Sequence, residues 1–249
     1  MKTICLILSL PAFVLVGASE PEAKPAAAAG LKEIFPGVRV DLEKKLVEFD
    51  GSVPIDAHSK ADLKVFLETT VCTADSKEHE SLVVTRAKPS QVHAALLMIG
   101  LKPGRPGFWQ NGRAGWKGVP PEGDPVTVRF AVKGKDGSVQ EIDPADWIVN
   151  VKGNKTLREE SPDSGWVFAG SKLVTQKPGP DGEKPARYAA DSEGTLIGLT
   201  SFGTETIGWT AMYSPDSDKQ EPEWIASKEK TPEIGTQVVV RIAPAKPGA

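Results

Sequence analysis

The chain has 249 residues, 39% hydrophobic and 25% charged, with 30 basic against 33 acidic side chains and a formal charge of −3. That mild acidity, with both signs interspersed, excludes the basic footprint of a nucleic-acid-binding protein and any charge block aimed at an anionic membrane. With only Cys5 and Cys72, a multi-disulfide scaffold is excluded too, so stability must come from a buried core that a chain of this length can form.

The N-terminus reads as a leader. Lys2 precedes an apolar run from Ile4 to Val16, closed by Gly17 and Ala18, which is the pattern of a secretory signal peptide over 1–18. An uncleaved anchor is the alternative, but the run is shorter than the roughly 20 residues of a spanning helix. It also contains Pro11, and no cysteine follows Ala18 to carry a lipid. The expectation is an exported protein, periplasmic or extracellular, without a transmembrane span after cleavage. Loss of Lys2 and Cys5 with the leader moves the formal charge from −3 to −4 and leaves Cys72 alone. A lone cysteine in an oxidising compartment reads as a buried thiol, a reactive thiol or an intermolecular partner.

Residues 19–36, rich in Pro and Ala, read as a linker, and 37–245 as a single domain. Apolar residues at Val38, Val40, Leu42, Leu46, Val47 and Phe49 predict two short strands joined near Glu43-Lys44, with Asp50-Gly51 as a turn. Further strands are expected over 63–71 and 79–85. Pro89 at a first helical position, a stripe of Val92, Ala95, Leu96 and Ile99, and Gly100 beyond the end predict a helix over about 89–100. Leu97 and Met98 would widen its buried face. Residues 102–125 read as a Gly/Pro-rich loop holding Phe108, Trp109 and Trp116. Strands follow at 126–132, 138–142, 147–151, 166–169, 196–199 and 236–242, with a turn-rich insert at 177–184. The pattern predicts a β-rich α+β fold: an antiparallel-rich sheet or sandwich with one prominent helix packed on it.

The string KEHESLVVTRAKPSQVHAALLMIGLKPG at 77–104 resembles the YdjY-like domain family of exported or redox-associated bacterial proteins. PPEGDPVTV at 120–128, Asp146-Trp147, GWVFAGS at 165–171, AADSEGTLIGLTSF at 189–202 and PEIGTQVVV at 232–240 extend the likeness over nearly all of 37–242. The resemblance implies one domain unit and carries no activity with it.

The residues themselves support two kinds of site. If 72–79 turns back as a hairpin over Asp75-Ser76, Cys72 faces His79, and the helix could bring His93 to the same side. Cys72, His79 and His93 would then hold zinc or another transition metal with a fourth position open, or a histidine would activate the thiol. The plainer reading is a buried thiol beside hydrogen-bonded histidines. KEHES lacks the one-face spacing of the HExxH zinc motif. Glu78 and Glu80 read as an acid/base pair or as solvated partners of Lys77 and Arg86. The second site is the 102–125 loop, where Phe108, Trp109 and Trp116 beside Arg113 form the aromatic-and-arginine set of partner surfaces or sugar-stacking sites. Otherwise the tryptophans fold back as a lid, while Trp147, Trp166 and Trp209 read as core. No catalytic signature is present, so the leading expectation is a non-catalytic binding or accessory module for an envelope protein or polysaccharide. The alternative is a metal- or thiol-dependent enzyme or redox accessory protein centred on Cys72, His79 and His93.

Overall fold

The computed structural model describes residues 30–58, 64–113, 115–134, 136–175 and 186–245. The expected leader at 1–18, most of the linker at 19–36, Leu63 and the insert at 177–184 lie outside the described residues.

Regular structure begins before Gly37, with β1 (Lys32–Phe35) pairing antiparallel to β2 (Val38–Asp41). Gly37 turns the chain with φ +74°, a conformation that costs glycine little, and its N–H donates to Glu33 Oε1 at 2.9 Å. As the alternation predicts, β2 leads into β3 (Leu46–Ser52); Asp41 Oδ1 accepts from the N–H groups of Glu43 and Lys44 in the connection. Asp50-Gly51 is not a turn, because β3 continues through it to Ser52.

The remaining principal elements are β4 (Thr69–Thr73), β5 (Ser81–Thr85) and helix α1 (Pro89–Met98). After them come the hairpin β6 (Phe108–Gly112) and β7 (Gly115–Val119), then β8 (Pro125–Lys133) and β9 (Val139–Ile142). The set ends with β10 (Trp166–Val167), β11 (Thr195–Gly198), β12 (Ile207–Trp209) and β13 (Gln237–Pro244).

Strand makes up 41% of the structure and helix 13%, so the β-rich expectation holds. The architecture is an eight-strand closed barrel rather than a sandwich. Its strands run β3, β13, β8, β10, β12, β11, β4, β5 and back to β3. All joints are antiparallel except β11–β12 and β4–β5. Closure depends on a short seam, Gly51 opposite Thr85 and Ser52 opposite Val84. Gly51 permits it: a Cβ there would lie 2.5 Å from Val83 Cγ1 and 2.8 Å from the Val84 carbonyl oxygen.

The barrel is filled rather than hollow. Val126, Val128, Phe130 and Val132, at alternate positions of β8, are buried, as are Val238, Val240 and Ile242 of β13. Trp147 packs on Phe130 with ring centroids 5.5 Å apart, and Trp166 meets Trp209 edge-on at 4.8 Å across β10 and β12. The expected core tryptophans are therefore core.

Helix α1 buries Val92, Ala95 and Leu96 and touches β2, β3 and the short helix Ala189–Glu193. Lys88 gives it no side-chain cap; instead Asp191 accepts from Ser90 N–H at 2.8 Å and from Ser90 Oγ at 2.6 Å. Leu97 and Met98 do not widen the buried face: at about 100° per residue they turn away from the Val92–Leu96 stripe into solvent. Among the described residues no helix is long and apolar enough to cross a membrane.

Candidate functional site

The 72–81 segment is built differently from the expected hairpin. β4 and β5 pair in parallel, with Cys72 opposite Val84, and residues 74–80 carry the chain from one to the other. Parallel neighbours usually need a crossover of a dozen or more residues. Here a tightly hydrogen-bonded turn replaces it. Asp75 sits at φ +61°, Glu78 Oε2 accepts from Ser76 N–H at 2.9 Å, and its other oxygen accepts from Asp75 N–H. Ser76 Oγ donates to the Thr73 carbonyl and Ser81 Oγ to the Lys77 carbonyl, each at 2.6 Å. Glu78 to Glu80 form one turn of 3-10 helix, so His79 is not on a strand.

The three residues of the expected metal or thiol centre do not converge. Cys72 is sealed in β4; burial pushes its thiol up, against hydrogen bonds from its serine neighbours. His79 lies on the outside of the turn with its side chain 80% exposed, its Nε2 3.6 Å from Glu80 Oε2. His93 is half-buried on α1, where Nδ1 meets the Tyr188 hydroxyl at 2.9 Å and the ring packs edge-on against Phe168 and Tyr188. Burial lowers its pKa, partly offset by the Gly170 backbone. No group of three His, Cys, Asp or Glu side chains among the described residues is arranged to hold a metal ion.

Glu78 and Glu80 are not a pair either. Glu78 turns back into its own loop. Partial burial opposes its ionisation, but the N–H groups of Glu78, Asp75 and Ser76 together hold its carboxyl below the ordinary range. It lines an open groove of about 690 Å³ over the β3–β5 seam, together with Asp50 and Arg86. Asp50 is already committed there to a two-oxygen pairing with Arg39.

Glu80 instead meets Glu68, a residue that the sequence reading did not single out. Glu68 is pushed up to about 7, first by burial and then by the charge of Glu80, against the pull of Lys77. Lys77 Nζ stands 3.1 Å from Glu80 and 3.9 Å from Glu68, and 4.4 Å over the Phe202 ring. The backbone repeats the junction. Glu68 N–H donates to the Glu80 carbonyl, and the Glu68 carbonyl accepts from the N–H groups of Leu199 and Thr200. The pair opens on a cavity of about 70 Å³ that Tyr213, Glu221, Glu223 and Trp224 also line.

The 102–125 segment is not an irregular loop. Its centre is the β6–β7 hairpin, in which Trp109 pairs with Gly118 and Asn111 with Trp116 on one face, and Phe108 with Val119 and Gln110 with Lys117 on the other. The tryptophan face looks toward 210–219. Met212 fills the space that Gly118 leaves, 3.0 Å from where a Cβ would be, and Lys219 Nζ lies 4.4 Å over the Trp116 ring. Trp109 folds in, with its indole N–H buried, whereas Trp116 keeps 51% of its surface in solvent. Phe108 is also exposed, with the Arg105 guanidinium 5.0 Å over its ring; Arg113 is exposed at the hairpin turn.

The strap 199–206 joins these two features. Phe202 lies under Lys77, and Ser201 Oγ meets Met212 Sδ at 3.2 Å. Glu205, almost wholly buried, accepts from Gly107 N–H at 3.2 Å and Thr204 N–H at 3.0 Å. Burial raises its pKa, with these backbone donors opposing. The acid pair and the base of the aromatic hairpin thus both contact one strap.

No curated protein and no solved structure matches the chain. The family model of the YdjY domain does match, over residues 38–243, and the chain therefore belongs to the YdjY domain family.

Proposed function

We propose that this is an exported, non-catalytic module of the bacterial cell envelope that binds a polysaccharide or an envelope protein through the β6–β7 hairpin. The observation that carries this reading is Trp116. A large aromatic ring left half in solvent on a hairpin, with Asn111 opposite it on the same face and the Lys219 ammonium over the ring, combines stacking surface with an amide and a cationic group. Such rings act as anchors because they bury much area and lose little conformational freedom. The cavity at Glu68 and Glu80 holds about 70 Å³, room for water rather than for a small-molecule substrate, whose pockets usually enclose several hundred Å³.

The thiol- or metal-dependent alternative has less behind it, because Cys72 is sealed and its two histidines are turned elsewhere. The test is co-sedimentation and calorimetric titration with purified cell-wall glycan, alongside pull-down from envelope extract. Wild type is compared with Trp116→Ala and Phe108→Ala. Binding that depends on these rings supports the reading; binding indifferent to both refutes it.

A further inference from the structure

We propose that the groove over the β3–β5 seam is a second binding site, for a short peptide with a free ammonium and a free carboxylate. The groove encloses about 690 Å³ and is lined by Gly51 and Ser52 of β3, Gln237 of β13, the turn after β4, and Arg86. That volume lies in the range of ligand sites. It shares no lining residue with β6 or β7, so the site stands whether or not the hairpin binds glycan.

The charges of the groove fall into two groups. Asp50 is held by the Arg39 guanidinium at 2.7 and 3.0 Å, and Glu78 by the N–H groups of Asp75 and Ser76. The side chains of Asp75 and Arg86 are exposed, and among the described residues neither makes a hydrogen bond or an ion pair, with the other or with a neighbour. One free acid and one free base thus line the same concavity.

Their backbones are fixed before any ligand arrives. Glu78 ties down the N–H groups of Asp75, at φ +61°, and of Ser76. Beside Arg86, the Thr85 hydroxyl donates to the Asp50 carbonyl at 2.6 Å and accepts from Ala87 N–H at 3.1 Å, and the Thr85 carbonyl accepts from Ala74 N–H at 3.0 Å. Such preorganisation lowers the cost of binding.

The cationic side continues past Arg86, which also lines an adjoining hollow of about 350 Å³. Lys88 lines that hollow and is likewise without a partner among the described residues, whereas Asp191 there is engaged by Ser90. Asp75 and Glu78 line only the larger space and Lys88 only the smaller, with Arg86 common to both. The ends of a peptide match this polarity: the ammonium meets Asp75, and the carboxylate meets the Arg86 guanidinium, whose fork suits two oxygens. Ser52 and Gln237 offer a hydroxyl and an amide to the peptide backbone between them. A neutral glycan would leave both charges unmatched, and a ligand of one sign would leave one unmatched and be repelled by it.

The experiment is an amide NMR titration of the full chain with trialanine, N-acetyl-trialanine and trialanine amide, each up to about 20 mM at about pH 6.5, where free ends are charged. Trialanine should shift the amides of 74–78 and 85–88 saturably, with a Kd of about 1 mM as expected for so small a ligand. The β6–β7 amides should not move. Acetylation and amidation should each weaken binding by about 10-fold or more. Asp75→Asn, which keeps a residue tolerant of the left-handed backbone, should bind the free and acetylated peptides alike, and Arg86→Gln the free and amidated ones. The wild-type chain with the three peptides decides the question even if a variant fails to fold. Absence of a saturable shift with trialanine overturns the site, and so does full-strength binding by either blocked peptide.

Discussion

Replacing Glu68 with glutamine should stabilise the protein at alkaline pH and do almost nothing at acid pH. The folded state raises the Glu68 carboxyl from 4.5 to about 7. Between those values the folded chain holds a proton that the unfolded chain has released. Stability is therefore fully present below about 4.5 and is lost as pH rises toward about 7. At about 1.4 kcal/mol per pH unit, the displacement sets a ceiling of about 3 kcal/mol. The Glu68 side chain is 28% exposed and Lys77 stands 3.9 Å away, so solvent screening and the existing cation bring the expected effect down to about 1–2 kcal/mol. Glutamine keeps the shape and carries no charge at any pH. Urea unfolding of wild type and Glu68→Gln, at about pH 4 and about pH 8.5, measures the difference. His93, whose lowered pKa makes stability rise with pH, and Glu205, whose raised pKa makes it fall, act alike in both proteins and cancel. A gap of about 1–2 kcal/mol in favour of glutamine, present only at the higher pH, is the expected outcome. An equal gap at both pH values, or none, refutes the argument from burial and the Glu80 charge.

Further expectations concern the frame. Trp147→Ala should cost about 3–5 kcal/mol, because the ring is 2% exposed and packed on Phe130; Trp116→Ala should stay within about 0.5 kcal/mol of wild type in the same urea assay. Gly51→Ala should destabilise by about 2 kcal/mol or more, since a Cβ at 2.5 Å from Val83 forces the short β3–β5 seam apart. Wedging this seam should also speed hydrogen exchange across β5. Cys72 should resist an aromatic disulfide reagent in the native protein and react at once in denaturant; rapid native reaction would restore the activated-thiol reading.

The legible parts of this fold were those governed by local periodicity. Helix α1 follows from Pro89 and the Val92–Ile99 stripe, β8 from its alternating Val126, Val128, Phe130 and Val132, and β13 from its run of valines. Parallel pairing left no such mark. Alternation in 69–73 and 81–85 is the same whether the strands run together or apart, and what selects the parallel arrangement is a set of turn hydrogen bonds from Glu78, Ser76 and Ser81. Barrel closure was equally hidden, because it rests on two residue pairs between β3 and β5. The hairpin at 108–119 had a signal that was not used: Gly112 and Gly115 frame its turn, Gly115 with φ +96°. For the acid pair there was none. Glu68 and Glu80 are 12 positions apart and meet through the parallel pairing of Thr69 with Ser81, so no spacing rule points to it.

The binding role of the hairpin is tested most directly by one paired measurement: the envelope glycan or protein retained by the wild-type chain and by Trp116→Ala at equal concentration and verified equal stability. Loss of the retained material with the variant, by about 10-fold or more as expected for an anchor ring, is the predicted result. Equal retention would contradict the assignment of the exposed Trp116 surface as the site.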